Sequence, residues 1–581
     1  MAGQMRCWEL PDQFVFQPHS GLLQILSIDR ATGNASLIQE LPAAASGGQI
    51  HSSTVYGVLG AVKLLTGTYV LVVTERECAG SYSNSPLFKV KSMRFLQCEH
   101  TRHLSPSKII EEAYLRGLLK HIEQTPGLYF SYETDLTNNA QRTHLLTNDH
   151  ENQPLWKQAD PQFVWNDHLK DYLLESKLCY FSSFLNLLIR FQSVQVLLAE
   201  QLLQITLISR RSIRRSGTRM WRRGADPEGS VANFVETEQI LEAGGYFASY
   251  VQVRGSIPVF WEQIVDLRYK PQIRSINHED TSAVVERHFS DLSDRYGSVL
   301  AVDLINQQGS EGVLSIAYRN AMQHLKNNNV TYVPFDFHHI CGNIRFDRLS
   351  VLHDQIAENL MQQRFFLVNP MKEKTEEQKG IVRTNCIDCL DRTNVTQSLL
   401  GRKALEEQLR RLGLFQASET IDKHYVFDSQ FNILWANHGD EISYQYAGTP
   451  ALKGDFVRYG KRTIAGLIQD GISAISRYYL NNFHDGRRQD AMDLVTGRYK
   501  ASDSSSPHRS VIAGIATYMP LIAAVIVASI CATAMSLWNV SRGDGRVMFT
   551  MLWASVTAVL GMVVRTNGQQ LCCTPRLRGL K

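Results

Sequence analysis

The stretch RTNCIDCLDRTN, residues 383–394, decides how this chain is read. Inside it Cys386 and Arg392 are separated by five residues and followed by the hydroxyl of Thr393. That spacing suits a loop that wraps an anion, sets a thiolate beneath its central atom and clamps its oxygens with a guanidinium. Upstream, RFFLVN (364–369) and GIVRTN (380–385) are β-like; downstream, VTQSLLGRKALEEQLRRLG (395–413) has helical periodicity and ends on Gly413. The motif therefore sits at a strand–loop–helix junction. Loop residues Arg383, Thr384, Asn385, Ile387, Cys389, Leu390 and Asn394 form the cradle, whose backbone N–H groups and helix N-terminus point at one anion. The same positive setting lowers the thiol of Cys386 from about 8.5 toward roughly 3.5–7.5, so a thiolate is present at neutral pH without a separate base.

A phosphate in this loop implies two steps. Cys386 attacks phosphorus in line to form a phosphocysteine, while Arg392 holds two equatorial oxygens. An alcohol leaving group needs a proton, and three aspartates are placed to give one: Asp391, Asp388, and Asp336 upstream in FDFHH. Asp391 is favoured because it adjoins Arg392, and it then serves as base for the hydrolytic water. Thr393 is placed to hydrogen-bond the sulfur. Cys386 and Cys389 also spell C-x-x-C, but no second ligand pair of similar spacing accompanies them, so zinc is disfavoured. Cys389 is read as a packed loop residue, with a reversible disulfide to Cys386 as the lesser reading. His338 and His339 beside Asp336 are read as supporting residues. No metal or cofactor is expected, because cysteine-based hydrolysis needs none.

The bulk properties set the frame. A chain of 581 residues implies two or three domains, and a net charge of +4 is too small to act as a global field. Ten cysteines, sparse and irregular, do not resemble a secreted disulfide framework. The N-terminus, MAGQMRCWELPDQF, has no apolar run, and Ala2 stands where myristoylation needs glycine.

The C-terminus differs. Residues 511–537, VIAGIATYMPLIAAVIVASICATAMSL, carry no charge, and after a short polar turn residues 547–564 form a second uncharged run. Each is long enough to span a bilayer. Arg498, Lys500 and Arg509 precede the first run, and Arg565, Arg576, Arg578 and Lys581 follow the second, so both flanks are expected in the cytosol. Cys572 and Cys573, just past the second run, are candidates for acylation, which is the lesser reading of the pair. Loop and hairpin together point to an enzyme that removes phosphate from membrane lipids.

Domain organisation follows from composition. Residues 1–126 read as β-rich, with TYVLVVT (68–74) a buried strand, and 127–500 as a larger α/β domain in which 173–208 carries helical stretches. ASDSSSP opens a linker over 501–510 to the spans at 511–537 and 547–564, and 565–581 is a basic cytosolic tail. Seven arginines lie between 210 and 223. A membrane-anchored chain makes nucleic acid an improbable partner, so Arg219, Arg222, Arg223, Lys453, Lys461 and Arg462 are read as contacts to an inositol phosphate or an anionic membrane surface. The others form solvated faces or ion pairs.

The twelve-residue motif resembles the signature of the Sac-domain phosphoinositide phosphatases. The likeness continues through SGTRMWRRGADPEGSVANFVETEQI (216–240), SYVQVRGSIPVFW (249–261), FDFH (335–338), WANHGDEISYQYAGTPALKGDF (435–456) and VYGVLGAVKLLTGTYVLVVT (55–74). The C-terminal hairpin is similar to that of the integral-membrane branch. The resemblance implies an α/β fold in which a β-rich N-terminal domain packs on a larger cysteine-phosphatase-like catalytic domain, followed by a two-helix transmembrane hairpin. It implies hydrolysis of phosphatidylinositol monophosphates, chiefly the 4-phosphate, at endoplasmic reticulum or Golgi membranes. The chain departs from some members at RLRGLK (576–581), which lacks a dilysine retrieval signal. Two rivals stand beside this reading: a catalytically weak lipid-binding scaffold or tether at membrane contacts, and a protein tyrosine phosphatase. Intact Cys386, Arg392, Asp388 and Asp391 speak against the first, and the hairpin and extended blocks against the second.

Overall fold

Gly380–Asn385, the strand that delivers the motif, is buried along its whole length. A strand covered on both faces needs neighbours on both edges and layers above and below. The computed structural model of the protein supplies them; it describes residues 3–19, 24–46, 52–98, 104–146, 153–174, 191–198, 200–276, 278–342, 345–501, 525, 528–538 and 547–577.

The sheet around the motif is built from β1 (Phe191–Leu198), β2 (Gln201–Arg211), β3 (Val235–Ala243), β4 (Tyr246–Arg254), β5 (Ser298–Asp303), β6 (Val330–Pro334), β7 (Phe366–Val368), β8 (Lys374–Glu376) and β9 (Gly380–Asn385). Its order is β1-β2-β3-β4-β9-β5-β6, with β7 paired to β4 and β8 to β7. β1 to β4 form an antiparallel meander, whereas β9 runs parallel to β4, to β5 and, through β5, to β6. Alternating side chains face opposite layers. Val253, Val299, Ala301 and Ile381 pack with Val284, Phe289, Leu314 and Tyr318, while Leu300, Val302 and Val382 pack with Leu352, Ile356 and Leu400. The carboxyl ends of the parallel strands open where connecting segments diverge, which is where α/β sheets place ligands.

The N-terminal residues form a five-stranded sheet, Met5–Glu9 to Ser52–Val55, and a four-stranded sheet that closes with Tyr129–Phe130. Helix α1 (Pro106–Glu123), with proline in its first turn, lays Leu115, Leu118 and Leu119 on Leu59, Leu71 and Val73. After the motif come α2 (Asp391–Arg411), α3 (Tyr425–Ala447), α4 (Ile464–Phe483), α5 (Asp485–Val495) and α6 (Val547–Thr566). Ala491 and Leu494 of α5 join the core of the N-terminal sheets and so tie the two regions together.

Several expectations are corrected. Of the helical stretches expected within 173–208, residues 173–174 end a helix (Asp167–Leu174), 175–190 lie outside the described residues, and 191–208 form a β-hairpin with Phe191 opposite Ile208 and Glu200 in the turn at φ 66°. A continuous apolar run cannot be assigned to helix or strand by periodicity alone. Among the described residues no helix is long and apolar enough to cross a membrane. The expected span at 511–537 is described only at 525 and from 528 onward, and the linker expected at 501–510 lies outside the described residues beyond 501. The expected span at 547–564 coincides with α6, in which Met548, Met551, Leu552, Val559 and Met562 are exposed. The described part of the tail, to 577, packs on the body. Leu577 enters the N-terminal core, and Cys572 is buried beside Met220 and Val265, so it is closed to acylation.

Candidate active site

β9 ends at Asn385 and α2 begins at Asp391, so residues 386–390 must turn sharply between them. Cys389 sits at the bend with φ 53°, a left-handed conformation rare for a residue with a side chain. This bend brings the Cys389 N–H back to donate to Cys386 Sγ at 3.0 Å, while the Cys389 thiol donates to the carbonyls of Gly255 at 2.9 Å and Cys386 at 3.3 Å. From the first turn of α2, Thr393 Oγ1 donates to the same sulfur at 3.4 Å. Burial alone raises the Cys386 thiol, but Cys389, the Arg392 charge and Thr393 outweigh it and hold it at about 6. Burial and the neighbouring Cys386 push the Cys389 thiol far up, so the two cysteines are electrically unlike.

The strand end is fixed from below. Arg383, Thr384 and Asn385 are fully buried. Arg383 donates to Asn385 Oδ1 at 2.7 Å and to the Ser256 carbonyl, and Asn385 Nδ2 donates to Asp303 at 2.6 Å. Asn394 donates to the Trp435 carbonyl at 3.0 Å. Gly439 permits this approach of α3 to α2, because a Cβ there would lie 2.3 Å from Asn394 Nδ2. Ile387 offers its carbonyl to Arg223 at 2.9 Å, and Leu390 packs against Val235, Ile442 and Tyr446.

The two loop aspartates have opposite surroundings. Asp388 is gripped by Arg219 and Arg223, each at 2.7 Å. Burial pushes its carboxyl up, but the two guanidiniums win and hold it well below the usual carboxylate range. Asp391 accepts the Leu452 N–H at 2.8 Å. Burial raises its carboxyl, and neither Arg477 nor that N–H offsets the rise. Asp388 is therefore a fixed anion, whereas Asp391 retains its proton more readily. Asp336 caps the short helix Phe337–Cys341 through the His339 N–H at 3.0 Å and also takes the Gln307 N–H at 3.0 Å.

Arg392 forks onto Glu311, with Nη1 and Nη2 at 2.9 and 2.8 Å from its two oxygens, and Nη1 also reaches the Leu304 carbonyl and Asn306. Cys386, Asp388, Asp391 and Arg392 line one cavity of about 200 Å³ with Phe337, His338, Phe346, Leu452 and Lys453. That is below the roughly 300–1,000 Å³ of pockets for drug-sized ligands. Among the described residues no three His, Cys, Asp or Glu side chains are grouped to hold a metal ion.

The SacI homology domain model matches residues 56–342. Phosphoinositide phosphatase SAC6 of Arabidopsis thaliana is 49% identical over 583 residues, covering 99% of this chain and 98% of its own length. Phosphatidylinositol-3-phosphatase SAC1 of Drosophila melanogaster is 36% identical over 587 residues (99% and 96%), and phosphatidylinositol-3-phosphatase SAC1-B of Danio rerio 34% over 567 (96% and 95%). The chain belongs to the Sac phosphoinositide phosphatase family. The domain match stops before the Cys386 loop, whereas these relatives match almost the whole chain and so extend across it.

With the Sac family assigned, the basic residues sort by contact. Arg219 and Arg223 hold Asp388, and Arg222 pairs with Asp493 at 2.9 Å. Arg462 pairs with Asp455 and Asp470, Lys461 is exposed, and of the six expected headgroup or membrane contacts Lys453 lines the cavity. Arg210 is buried between Glu236 and Glu238, and Arg211 donates to the Gly217 carbonyl, so this part of the arginine run is architectural. Sequence reasoning missed Glu311, which holds Arg392, and Arg254, which lies fully buried beneath the loop and donates to Gln397 and Asn394. Nothing in the local sequence marks Glu311, which sits in a single 3₁₀ turn. Arg254 lies inside the SYVQVRGSIPVFW block and was within reach.

Proposed function

We propose that this chain hydrolyses phosphatidylinositol monophosphates, chiefly the 4-phosphate, through a phosphocysteine intermediate. The reading rests on one observation: a sulfur with two hydrogen-bond donors, held at about 6, in a small cavity with Arg392 and a raised carboxyl. In the first step the Cys386 thiolate attacks phosphorus, the phosphorus–oxygen ester bond breaks and the departing inositol oxygen takes the Asp391 proton. In the second, water attacks phosphorus, Asp391 accepts its proton, the phosphorus–sulfur bond breaks and inorganic phosphate leaves. Arg392 binds the equatorial oxygens in both steps, leaving or sharing Glu311 to do so. Asp388 stays ionised throughout and orders Arg219 and Arg223. Neither step draws on a metal.

The substrate's position on the ring is proposed from the family branch that the C-terminal hairpin resembles. The animal relatives carry 3-phosphatase in their names, so the two monophosphates belong in one assay. Membrane attachment through 511–537 and 547–564, both termini cytosolic and at the endoplasmic reticulum or Golgi, is supported by the two charge-free runs and their basic flanks. Extraction of the native membranes with alkaline carbonate checks it: a chain released into the supernatant is not spanning.

The deciding experiment incubates the full chain with each phosphoinositide in EDTA, beside Cys386→Ser. Phosphate release from the 4-phosphate by the wild type alone is expected. Release that persists in the serine variant, or that needs a divalent ion, overturns the mechanism, and no release by either form transfers the chain to the scaffold reading.

A further inference from the structure

Helix α4 exposes an apolar stripe, while its other face is packed on the body. Ile464, Leu467, Ile468, Ile472, Ile475 and Tyr479 recur at helical spacing and are between 53 and 81% exposed. Such a stripe normally faces a core. Its opposite side does face one: Ser473, Arg477 and Asn481 are buried, and Arg477 donates to Thr449, Ser443 and the Pro450 carbonyl. Asp470 and Arg477 are the two charged residues of α4, and both are engaged with the body, Asp470 with the Lys453 N–H and Arg462. The exposed face is thus apolar without a carboxylate to repel an anionic surface. Exposed Lys461 and Tyr459 flank its N-terminal end, and Tyr269, 71% exposed, lies 6.5 Å from Tyr478 near its other end.

Two connections give this face a role. The cavity wall Leu452–Lys453 hangs from α4, because both oxygens of Asp470 receive the Lys453 N–H at 3.0 Å. The segment that follows the apolar helix α6 is tied to the C-terminal end of α4: Cys573 N–H donates to the Asn482 carbonyl at 2.7 Å, and Tyr478 hydroxyl to the Leu267 carbonyl at 2.7 Å beside buried Cys572. The end of α4 and the exit of the proposed membrane hairpin are therefore one place.

We propose that the exposed apolar face of α4 is an interfacial docking surface that lies on an anionic bilayer and holds the cavity wall at the headgroup layer. Apolar side chains enter the headgroup–acyl boundary while Lys461 meets anionic lipid and the tyrosines sit at the interface. The inference rests on the reading that the substrate is a membrane lipid, and it commits to the bilayer as occupant rather than to a second copy of the chain.

The test uses the full chain reconstituted in phosphatidylcholine–phosphatidylserine vesicles, comparing wild type with Ile468→Asp/Ile475→Asp and with Ile468→Ala/Ile475→Ala. Turnover is measured on long-chain phosphatidylinositol 4-phosphate in the vesicles and on a soluble dioctanoyl analogue. The aspartate pair is expected to lose at least tenfold on vesicles and nothing on the soluble lipid, and the alanine pair to fall between. Equal losses on both substrates, or none on either, overturn the proposal. A dimer in wild type that becomes monomer in the variant with vesicle turnover intact assigns the face to self-association and overturns it too. No turnover of either lipid by wild type refutes the phosphatase reading itself, which is a different result.

Discussion

Asp388 and Asp391 lie three residues apart, and replacing each by asparagine separates a fixed anion from a proton donor. Asp391→Asn preserves shape and an oxygen for the Leu452 N–H, now 2.8 Å away, but carries no transferable proton. General acid–base catalysis contributes about 10²–10⁴-fold, so kcat/KM on an inositol lipid falls by that factor, roughly 3–5.5 kcal/mol of barrier. An aryl phosphate, whose phenolate leaves without assistance, loses far less. Asp388→Asn instead cuts two 2.7 Å ion pairs and strands Arg223, whose side chain is 2% exposed. Breaking a buried pair costs about 3–5 kcal/mol, which the partial exposure of Asp388 and Arg219 reduces to about 2–4. At about 2 °C per kcal/mol for a domain of this size, the melting midpoint drops by about 4–8 °C. The assay pairs kcat/KM on dioctanoyl phosphatidylinositol 4-phosphate and on 4-methylumbelliferyl phosphate with a melting curve. A leaving-group-dependent loss in Asp388→Asn, or an equal loss on both substrates in Asp391→Asn, refutes the assignment.

Alkylation of Cys386 by iodoacetamide should follow a thiolate that forms as pH rises through about 6. Thr393→Val removes one donor worth about 1 kcal/mol and so moves that midpoint up by about 0.7 unit; an unmoved midpoint denies the hydrogen bond its effect. Glu311→Ala should lower kcat/KM about tenfold or more by freeing Arg392 from its fork, with Glu311→Gln closer to wild type; a faster alanine variant would mean the pair holds Arg392 away from substrate. Asp490 accepts the Arg576 and Leu577 N–H groups and the Tyr114 hydroxyl, and burial raises its carboxyl to about 6. A carboxyl raised in the folded state contributes fully below its unfolded value and loses that contribution as pH rises through about 6. Between pH 4 and 7.5 the unfolding free energy of wild type should therefore fall more than that of Asp490→Asn, by up to about 3 kcal/mol; parallel curves would refute it.

The site was legible in sequence wherever chemistry and local periodicity coincide. GIVRTN gave β9 and the run after Asn394 gave α2, because a buried strand and a helix ending near a glycine are local patterns. What was not legible depends on contacts across the chain. Arg219 and Arg223 looked like headgroup ligands in a basic run, yet 169 residues separate Arg219 from its partner Asp388. Glu311 reaches Arg392 across 81 residues, and no composition marks it. Within 173–208 helical stretches were expected where the β1–β2 hairpin lies, because both states bury a continuous apolar run. The packed tail was invisible for a similar reason: Leu577 finds its place against Leu119 and Leu494 only after three distant segments have met.

Arg254 adds a second buried cation near the low thiol of Cys386, beyond Arg392, and it suggests a last perturbation. Where this fold needs a buried arginine only for architecture, it neutralises it: Arg210 sits between Glu236 and Glu238. Arg254 is equally buried but is held by amide oxygens, Gln397 at 2.8 Å and Asn394 at 3.3 Å, and burial lowers its guanidinium to about 10. The charges that act favourably on it are those of Cys389 and Cys386. Amides position the cation without cancelling it, so the thiolate serves as its counter-ion. Gln397→Glu keeps the oxygen that Arg254 meets and adds the missing negative charge, at the loss of the Gln397 N–H that donates to the Val253 carbonyl at 3.0 Å. The pairing gained by the buried cation offsets the donor lost at Val253 and the burial of a carboxylate, so the variant should melt close to wild type. It should also be slower, because that partner competes with the thiolate, and its iodoacetamide midpoint should rise by about one unit or more. A Gln397→Glu chain that melts no lower and is alkylated with the wild-type pH profile would show that Arg254 is structural alone.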